Sequence, residues 1–308
     1  MRLIDAVELA RLLPVSDAVD ALQKAFAGPL PDAPPRTRME AGSGELLLMP
    51  AVGDREAGVK LVTVSPANPD RGLPLIHSLY VLLDGTTLAP VALVDGAALT
   101  GLRTAAVSAL ATRHLARPDA SRLVMFGAGV QAGAHLDAMA AVRPVTDVTV
   151  VSRTPERAEA LAERARGRGL NAVVGARDSV GQGDLICTCT TSTEPLFDGR
   201  MVRPGAHINA VGAYRPDTRE VDDETVRRAR IVVETRQAAL AEAGDLVMPI
   251  TSGVISETDI AADLAEVVQG ATVRRGPDDV TLFKSVGVAF EDLVVAAAAA
   301  ARIPDHPA

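Results

Sequence analysis

A short glycine-containing segment near the middle of the chain has the spacing of a phosphate-binding loop. It reads Phe126-Gly127-Ala128-Gly129-Val130-Gln131-Ala132, the pattern G-x-G-x-x-A, and lies between an apolar segment and one with helical periodicity. In such a loop the first glycine permits a tight turn, the second lets the backbone approach a pyrophosphate, and a small third residue keeps the helix close to the sheet. Free N–H groups at the helix start attract the anion. The sequence therefore predicts dinucleotide contacts from Gly127, Ala128, Gly129, Val130 and Gln131.

The end of the next predicted strand indicates which dinucleotide would bind. Ser152, Arg153 and Thr154 end that strand, and Arg157 follows one helical turn later. Enzymes that use NAD usually place an acidic residue here for the ribose hydroxyls, whereas an arginine suits the 2′-phosphate of NADP. A competing interpretation is that Thr154 only caps the helix beginning at Pro155 and that Arg153 is solvated. The two roles are compatible, so we expect NADP(H) in preference to NAD(H).

Strand and helix patterns around these residues predict the sheet that positions them. From residue 118 to residue 286, apolar strands alternate with helices, which is typical of a Rossmann-type doubly wound parallel sheet in the α/β class. Residues 1–117 instead combine helices with short strands and predict a separate α+β domain, which an alanine-rich helix within residues 287–308 completes. The helices that we predict include Thr100–Leu115, Val130–Val142 and Pro155–Arg166. The predicted strands are Glu45–Met49, Gly58–Val64, Leu79–Leu83, Val91–Val94, Arg122–Phe126, Val148–Val151, Asn171–Val174, Leu185–Cys189, His207–Val211 and Ile231–Val233.

Composition restricts the partners and the environment of the protein. The 308 residues carry 31 Lys and Arg against 39 Asp and Glu, and only 2% are aromatic. Because nucleic-acid binding needs basic grooves and aromatic platforms, we expect no nucleic-acid partner. Cys187 and Cys189 alternate on one predicted strand, which predicts buried thiols with neither a disulfide nor a metal site. The longest apolar run, Leu293–Ala301, is too short for a membrane span, and Asp5 and Glu8 interrupt the N-terminal apolar segment, so we expect a cytoplasmic protein without a membrane partner.

Four segments together resemble the ornithine cyclodeaminase/μ-crystallin family. They are the glycine loop, Gly101–Ser108 (GLRTAAVS), His207–Ala213 (HINAVGA) and Phe283–Gly287 (FKSVG), and the resemblance covers nearly the whole chain. It implies a homodimer in which the first domain binds the substrate and forms the dimer contact, while the second domain binds a nicotinamide cofactor. Activities in this family include cyclisation of ornithine with loss of ammonia, reduction of ketimines and dehydrogenation of alanine.

The resemblance also implies a set of catalytic and substrate-binding cations, namely Arg36, Lys60 and Arg103. Two guanidiniums and an ammonium that converge on one pocket would hold a carboxylate, which arginine binds in a bidentate manner. For any single one of these cations the alternative is a solvated surface charge. Arg103 has additional support, because we expect it in the first turn of a helix, where a cation is unfavourable unless an anion accompanies it. Arg103 and Thr104 would also contact the cofactor, and His77 would line the substrate pocket, although a structural histidine fits the sequence equally well.

One departure from the family pattern concerns the reaction itself. Cyclodeaminases have an aspartate two residues after the glycine of the third segment, where this chain has Tyr214. Oxidation of an amine needs a group that accepts a proton, and a phenol with a pKa of about 10 is a poor base at neutral pH. Reduction of an iminium makes no such demand. The residues after Tyr214 resemble the μ-crystallin side of the family, and we expect Tyr214 and Arg215 in the substrate site.

Residues at other strand ends match cofactor contacts of the family more loosely. Ribose and nicotinamide contacts would come from Thr188, Thr190, Val211 and Ser285. The alternative is that these hydroxyls hydrogen-bond to groups of their own neighbourhood.

These inferences predict an enzyme: an NADPH-dependent reductase of small cyclic ketimines that carry a carboxylate, such as Δ1-pyrroline-2-carboxylate or Δ1-piperideine-2-carboxylate. Lys60 or Tyr214 would donate the proton to nitrogen. The partners would be a small imine or amino acid and a second copy of the chain. Two alternatives remain open from the sequence. One is an ornithine or lysine cyclodeaminase that releases ammonia, and the other is a non-catalytic binding protein loaded with NADPH.

Overall fold

The computed structural model describes residues 1–303. The first part of the chain contains β1 (Arg2–Ile4), α1 (Ala6–Leu12), α2 (Val15–Ala27), β2 (Thr37–Ala41), β3 (Gly44–Val52), β4 (Glu56–Val64), β5 (Ile76–Asp84), β6 (Pro90–Asp95) and α3 (Gly96–Leu115). The second part contains β7 (Arg122–Phe126), α4 (Val130–Val142), β8 (Asp147–Val151), α5 (Pro155–Arg166), β9 (Asn171–Val174), β10 (Leu185–Thr188), β11 (His207–Ala210), α6 (Asp223–Arg228), β12 (Ala229–Val233), α7 (Arg236–Glu242), α8 (Gly244–Thr251), β13 (Ile260–Asp263), α9 (Leu264–Val268), β14 (Val280–Lys284) and α10 (Ala289–Ala300).

These elements form two compact units. The first unit consists of Met1–Arg103 together with the described residues from Val288 on, and the second is Thr104–Gly287. The division falls inside α3, so this helix contributes residues to both units. The predicted domain boundary between residues 117 and 118 stays a prediction. No helix of the described chain is long and apolar enough to cross a membrane.

A six-stranded sheet with the order β1-β6-β5-β4-β3-β2 forms the first unit. β1 pairs with β6 in parallel, and the remaining neighbours are antiparallel. Helix α10 packs on β3, β4 and β5 and on α2, where Phe26 and Phe290 meet edge to face at 5.2 Å. Because side chains alternate along a strand, Met49 of β3 and Tyr80 of β5 are buried in this covered face.

The opposite face of the same sheet carries apolar side chains that lie partly in solvent. Leu48, Leu61 and Leu79 are register partners across β3, β4 and β5, and Leu79 is 46% exposed. Val81 of β5 and Leu93 of β6 form part of a second row and are half-buried. The first unit therefore has one face buried under helices and one apolar face at the surface, which we call the apolar sheet face.

The second unit is built on a parallel sheet of eight strands. Their order is β13-β12-β14-β11-β10-β7-β8-β9, and every pair of neighbours is parallel. From β7 the chain proceeds to β8 and β9 on one side and then returns to β10 on the other, so the direction of winding reverses between β7 and β10. Open α/β sheets bind ligands at this switch point. The predicted α/β class and the Rossmann-type doubly wound sheet are confirmed.

Candidate active site

The carboxyl ends of four neighbouring strands lie side by side in the second unit. Phe126 of β7 is in register with Thr188 of β10. Thr188 is in register with Ala210 of β11, and Ala210 with Lys284 of β14. This arrangement brings together residues that are far apart in sequence. The positions that follow these strand ends are the glycine loop, Cys189 and Thr190, Val211 and Gly212, and Ser285.

The glycine loop has the geometry that a nicotinamide dinucleotide requires. Gly127 has a positive φ of 106°, and a Cβ there would lie 2.5 Å from the carbonyl oxygen of Cys189. At Gly129, by contrast, a Cβ would meet nothing within 4 Å, so the space beside the loop is open. Gly129 is also the N-cap of α4 and supplies no side-chain cap to the first N–H groups of that helix. A pyrophosphate fits this position, because those N–H groups need an acceptor and a glycine allows its close approach.

One exposed guanidinium follows the end of β8 and a second lies in the first turn of α5, where a dinucleotide would place its adenosine ribose. Arg153 and Arg157 are both exposed, and the residues between β8 and α5 include no carboxylate. The Thr154 amide donates to Ser152 Oγ at 3.2 Å. Thr154 occupies the N-cap position of α5, but its side chain makes no capping hydrogen bond, so the expected cap is wrong.

A buried glutamate accepts hydrogen bonds from several of the segments at this sheet edge. Glu220 accepts hydrogen bonds from Thr188 Oγ1 at 2.7 Å and from Gly212 N at 2.7 Å. It also accepts from the amide and the hydroxyl of Thr190, at 2.8 and 2.6 Å. Burial, reinforced by the charge of Asp245, raises the pKa of Glu220. The hydroxyls of Thr188 and Thr190 thus donate to Glu220, and their role as cofactor contacts stays a prediction.

Two further buried acids support the segments beside Glu220. Asp245 accepts from the backbone N–H of Glu220 at 2.6 Å and forms an ion pair with Lys284 Nζ at 2.8 Å. Glu234 accepts hydrogen bonds from Ser285 Oγ at 2.6 Å and from the backbone N–H groups of Val286 and Gly287. The predicted cofactor residue Ser285 is therefore held rigidly, and its hydroxyl hydrogen is directed to a carboxylate. Sequence reasoning did not find the support from Glu220 and Glu234, because nothing in the spacing of these acids reveals their partners.

The predicted substrate residues Tyr214 and Arg215 follow β11 in the second unit. The ring of Tyr214 is half-buried and packs against the apolar core of the parallel sheet. Arg215 is exposed and pairs with Asp217, with Arg215 Nε 3.4 Å from Asp217 Oδ1. Their role in substrate binding stays a prediction.

A compact cluster of opposite charges lies under α10 in the first unit. Lys60 of β4 places its Nζ 2.7 Å from Asp292 Oδ2. Arg103 of α3 donates from Nε to Asp292 Oδ1 at 3.2 Å and from Nη1 to Glu291 Oε2 at 3.0 Å. Both carboxylates are fully buried, and the Lys60 side chain is 2% exposed. The structure thus brings Lys60 and Arg103 together, as predicted from the resemblance, around two acids that the sequence analysis did not single out.

The position of Arg103 in its helix differs from the expectation. α3 begins at Gly96, and Asp95 Oδ1 accepts from the N–H groups of Ala97 and Ala98 at its start. Arg103 therefore lies about two turns into the helix and not in the first turn. The anion that we expected beside it is nevertheless present, since Glu291 and Asp292 both contact its guanidinium.

The electrostatics of the cluster single out Lys60. Burial, together with the positive charges of Arg103 and Arg36, lowers the pKa of Lys60 to about 8, while Asp292 acts in the opposite direction. Arg36, which precedes β2, is thus close enough to influence the Lys60 ammonium. Together with Glu291 and Asp292, these three cations form a set whose summed charge is positive. A buried group that still titrates near neutral pH is suited to proton transfer.

Tyr80 is a second group beside Lys60 that the sequence analysis missed. It is the cross-strand register partner of Lys60 and is completely buried. Its hydroxyl finds no hydrogen-bond partner among the described residues, and a Cβ at Gly58 would lie 2.3 Å from it. Burial, with a contribution from Asp292, raises the pKa of Tyr80, so this phenol stays protonated.

His77, which we predicted to line the substrate pocket, lies apart from this cluster. It is the register partner of Thr63, three positions from Lys60 along β4. Because successive side chains of a strand point to opposite faces, Lys60 belongs to the covered face and His77 to the apolar sheet face. His77 is also exposed. Its place in the substrate pocket stays a prediction.

Comparisons with known proteins identify the family of this chain. The model of the ornithine cyclodeaminase/mu-crystallin family matches residues 1–305. The chain belongs to this family. It is 35% identical over 309 residues to a Delta(1)-pyrroline-2-carboxylate reductase of Bacillus cereus, and the match covers 96% of this chain and 94% of that protein.

Two further proteins are similar to this chain. The ketimine reductase mu-crystallin of Mus musculus is 40% identical over 255 residues, with 82% of this chain and 79% of that protein covered. The structure of Thermococcus litoralis Delta(1)-pyrroline-2-carboxylate reductase in complex with NADH and L-proline matches with a TM-score of 0.92 at 36% identity, over 98% of this chain and 97% of that one. The resemblance that we drew from four segments is therefore confirmed.

Proposed function

We propose that this protein is an NAD(P)H-dependent reductase of small cyclic ketimines that carry one carboxylate, of the Δ1-pyrroline-2-carboxylate or Δ1-piperideine-2-carboxylate type. The observation that carries the proposal is the buried cluster around Lys60 and Arg103. With Arg36 beside it, the summed charge of this cluster is positive, and a positive field between low-dielectric walls attracts a small anion such as a monocarboxylate. Relatives named for reduction of pyrroline-2-carboxylate and of ketimines support the same substrate class.

In this proposal Arg103 and Arg36 bind the carboxylate of the substrate. The contacts of Arg103 with Glu291 and Asp292 fix the plane of its guanidinium. A preoriented guanidinium loses little side-chain entropy when it binds a carboxylate, and the planar fork of N–H donors matches two carboxylate oxygens. The substrate is thereby held in one orientation, and positioning of this kind contributes several kcal/mol to a barrier reduction.

Lys60 is the proton donor that we propose for the imine nitrogen. With a pKa of about 8 its ammonium is still mainly protonated at neutral pH, but it releases a proton more readily than an ordinary lysine does. A bound NAD(P)H supplies the hydride that adds to the carbon of the C=N bond. Carbon thus gains the hydride and nitrogen gains the proton from Lys60, which is reprotonated from water. Tyr80 lies beside Lys60, but its raised pKa makes it the weaker acid of the two.

We further propose that the cofactor is NADP(H) in preference to NAD(H). Support comes from Arg153, which is exposed after the end of β8, and from Arg157, which is exposed in the first turn of α5. No carboxylate lies between β8 and α5. An arginine at this position suits a 2′-phosphate, and an acid would repel it. The test compares the binding of NADPH and NADH to the wild type and to Arg153→Ser. We expect NADPH to bind the wild type more tightly and the variant to lose about tenfold in NADPH affinity alone. Equal binding of both cofactors by the wild type would contradict this preference.

The quaternary structure that we propose is a homodimer formed through the apolar sheet face. A contiguous apolar surface of this kind marks an interaction site in a soluble enzyme. An isologous contact uses the same patch of both subunits, so a single sheet face is sufficient.

We also propose that the enzyme is cytoplasmic. Cys187 and Cys189 are both free thiols, and they would remain reduced in the cytoplasm.

The activity is tested by following NADPH oxidation by the purified protein with each of the two cyclic ketimines. We expect turnover of at least one of them and formation of the corresponding cyclic amino acid. A parallel reaction with ornithine and NADP⁺ measures ammonia and proline. Release of ammonia from ornithine without reduction of either ketimine would show that the activity is that of a cyclodeaminase and not of a reductase. NADPH binding without turnover of either ketimine would contradict the proposed reaction.

A further inference from the structure

Asp292 is the residue that connects the two basic side chains of the proposed site. Its Oδ2 lies 2.7 Å from Lys60 Nζ, and its Oδ1 accepts from Arg103 Nε at 3.2 Å. The carboxylate is fully buried at the start of α10, and α10 packs on β4, the strand that carries Lys60. One buried acid is thus shared between the group proposed to donate a proton and a group proposed to bind the substrate.

The groups that face Lys60 come from every element around it. Arg103 and Thr100 belong to α3, and Thr100 Oγ1 lies 3.4 Å from Lys60 Nζ. Arg36 lies before β2, and Tyr80 is the cross-strand neighbour on β5. Burial, Arg103 and Arg36 all favour loss of the Lys60 proton, while Asp292 is the carboxylate that favours its retention.

We propose that Asp292 is a positioning residue that keeps the Lys60 ammonium charged and directed into the site until the proton is transferred. This inference deepens the proposed function and rests on it, since it assumes that Lys60 donates to the imine nitrogen. Because Asp292 contacts both Lys60 and Arg103, Lys60 can lose its proton without leaving Asp292 unpaired. When Lys60 becomes neutral, Asp292 still has Arg103 as its partner, so no buried carboxylate is left without a cation.

The first test measures the titration of Lys60 directly and needs no substrate. The chain contains only three lysines, Lys24, Lys60 and Lys284, so NMR of protein labelled with ¹³C at lysine Cε gives three signals to assign. A Lys60→Arg sample identifies the signal of Lys60. In Asp292→Asn we expect the pKa of Lys60 to fall by at least about one pH unit, because an opposite charge at this distance has been removed while both arginines remain.

Asp245→Asn is the matched control for this experiment. Asp245 is also fully buried and pairs with Lys284 at 2.8 Å, so the substitution is chemically the same in the second unit. Asp245→Asn is expected to leave the titration of Lys60 unchanged. A Lys60 pKa in Asp292→Asn that equals or exceeds the wild-type value would overturn the inference. If Asp292→Asn fails to fold, Asp292→Glu takes its place: the charge is retained, so Lys60 must stay protonated as in the wild type, and any large drop in its pKa contradicts the proposal.

The second test uses the pH dependence of ketimine reduction. In Asp292→Asn the alkaline limb of kcat/KM should move to lower pH by the same amount as the NMR titration, because kcat/KM reports the pKa values of the free enzyme. Above the shifted pKa, kcat/KM of the variant should rise about tenfold for each unit by which the pH is lowered. A merely structural role would lower kcat/KM equally at all pH values, and that result would refute the assignment. Failure of the wild type to reduce ketimines would disprove the proposed function, whereas the NMR result would still report whether Asp292 holds the charge of Lys60.

Discussion

Arg36 is the residue whose proposed role in binding the substrate carboxylate can be tested most simply. Arg36 precedes β2, and its charge contributes to the lowered pKa of Lys60. We expect Arg36→Gln to raise KM for the ketimine about 10- to 100-fold, because a charge-assisted hydrogen bond contributes about 1.5–3 kcal/mol. Arg38→Gln is the control, since Arg38 pairs with Glu45 at the surface. Steady-state kinetics of the two variants test this, and equal KM values for them would exclude Arg36 from carboxylate binding.

Removal of Arg103 should affect folding as strongly as activity. Its guanidinium compensates Glu291 and part of the charge of Asp292, both fully buried. Arg103→Ala would remove one cationic partner from each of these carboxylates, and breaking a buried ion pair costs about 3–5 kcal/mol. We expect a clearly lower Tm for Arg103→Ala than for Arg103→Lys, which keeps the charge, in thermal unfolding measured by circular dichroism. Equal melting temperatures would show that the two acids are compensated by other groups.

The sequence predicted the cations of this cluster but not its anions, for a physical reason. Lys60 and Arg103 stand in recognisable motifs, whereas Glu291 and Asp292 look like the ordinary acidic first turn of an alanine-rich helix. Only the return of α10 onto β4 shows that these carboxylates face inward. An adjacent acid pair in an otherwise apolar helix is a usable signal, because unpaired acids do not remain buried.

At the scale of secondary-structure elements, strongly periodic segments were predictable and short edge segments were not. The predicted bounds of β7, α4, α5 and β9 agree with the structure residue for residue. β2 was missed because it lies at a sheet edge with all five residues exposed, so no alternation marks it. β1 was missed because three residues are too few to show a strand period. β13 and β14 went unpredicted as well, since each depends on pairing with strands distant in sequence.

The contact between α3 and α4 makes the second unit sensitive to acid. His135 of α4 is buried, with Nδ1 2.8 Å from Gln131 O and Nε2 2.9 Å from Ser108 Oγ. Since a carbonyl only accepts, Nδ1 carries the hydrogen and Nε2 accepts from the serine. Burial lowers the pKa of His135 from 6.5 to about 4. The unfolded chain therefore binds a proton below pH 6.5 that the folded chain does not, and stability falls as the pH decreases from 6.5 towards 4.

The corresponding prediction is a loss of about 2 kcal/mol in the free energy of unfolding between about pH 7 and about pH 5 from this one histidine. His207, whose pKa burial and nearby arginines lower to about 3, adds a loss of the same sign. Urea unfolding at the two pH values measures the sum. His135→Asn, which cannot take up a proton, should show a smaller difference than the wild type. Unfolding free energies that do not change between the two pH values would contradict the neutral buried state of both histidines.

At the scale of the whole molecule, the apolar sheet face is the feature that a single chain leaves unexplained. Its central row, Leu48, Leu61 and Leu79, crosses three strands without a charged residue. Burying such a row contributes roughly 25 cal/mol for each Å² of apolar surface removed from water. In the proposed homodimer a second copy would offer an identical row, and a two-fold contact would pair each leucine row with its counterpart. The composition of the face therefore favours another copy of the chain over a charged or nucleic-acid partner.

A charge placed in this row should separate the subunits. We expect the wild type to elute with twice the mass of one chain in size-exclusion chromatography with light scattering, and Leu79→Asp to elute as a monomer, because the introduced carboxylate would have to be desolvated in the contact. Val173→Asp is the control, since Val173 is a comparably exposed apolar residue, 58% exposed on β9 of the second unit. The Val173→Asp variant should remain dimeric. A dimeric Leu79→Asp together with a monomeric Val173→Asp would move the contact to the second unit, and a monomeric wild type would leave the apolar sheet face without the partner proposed for it.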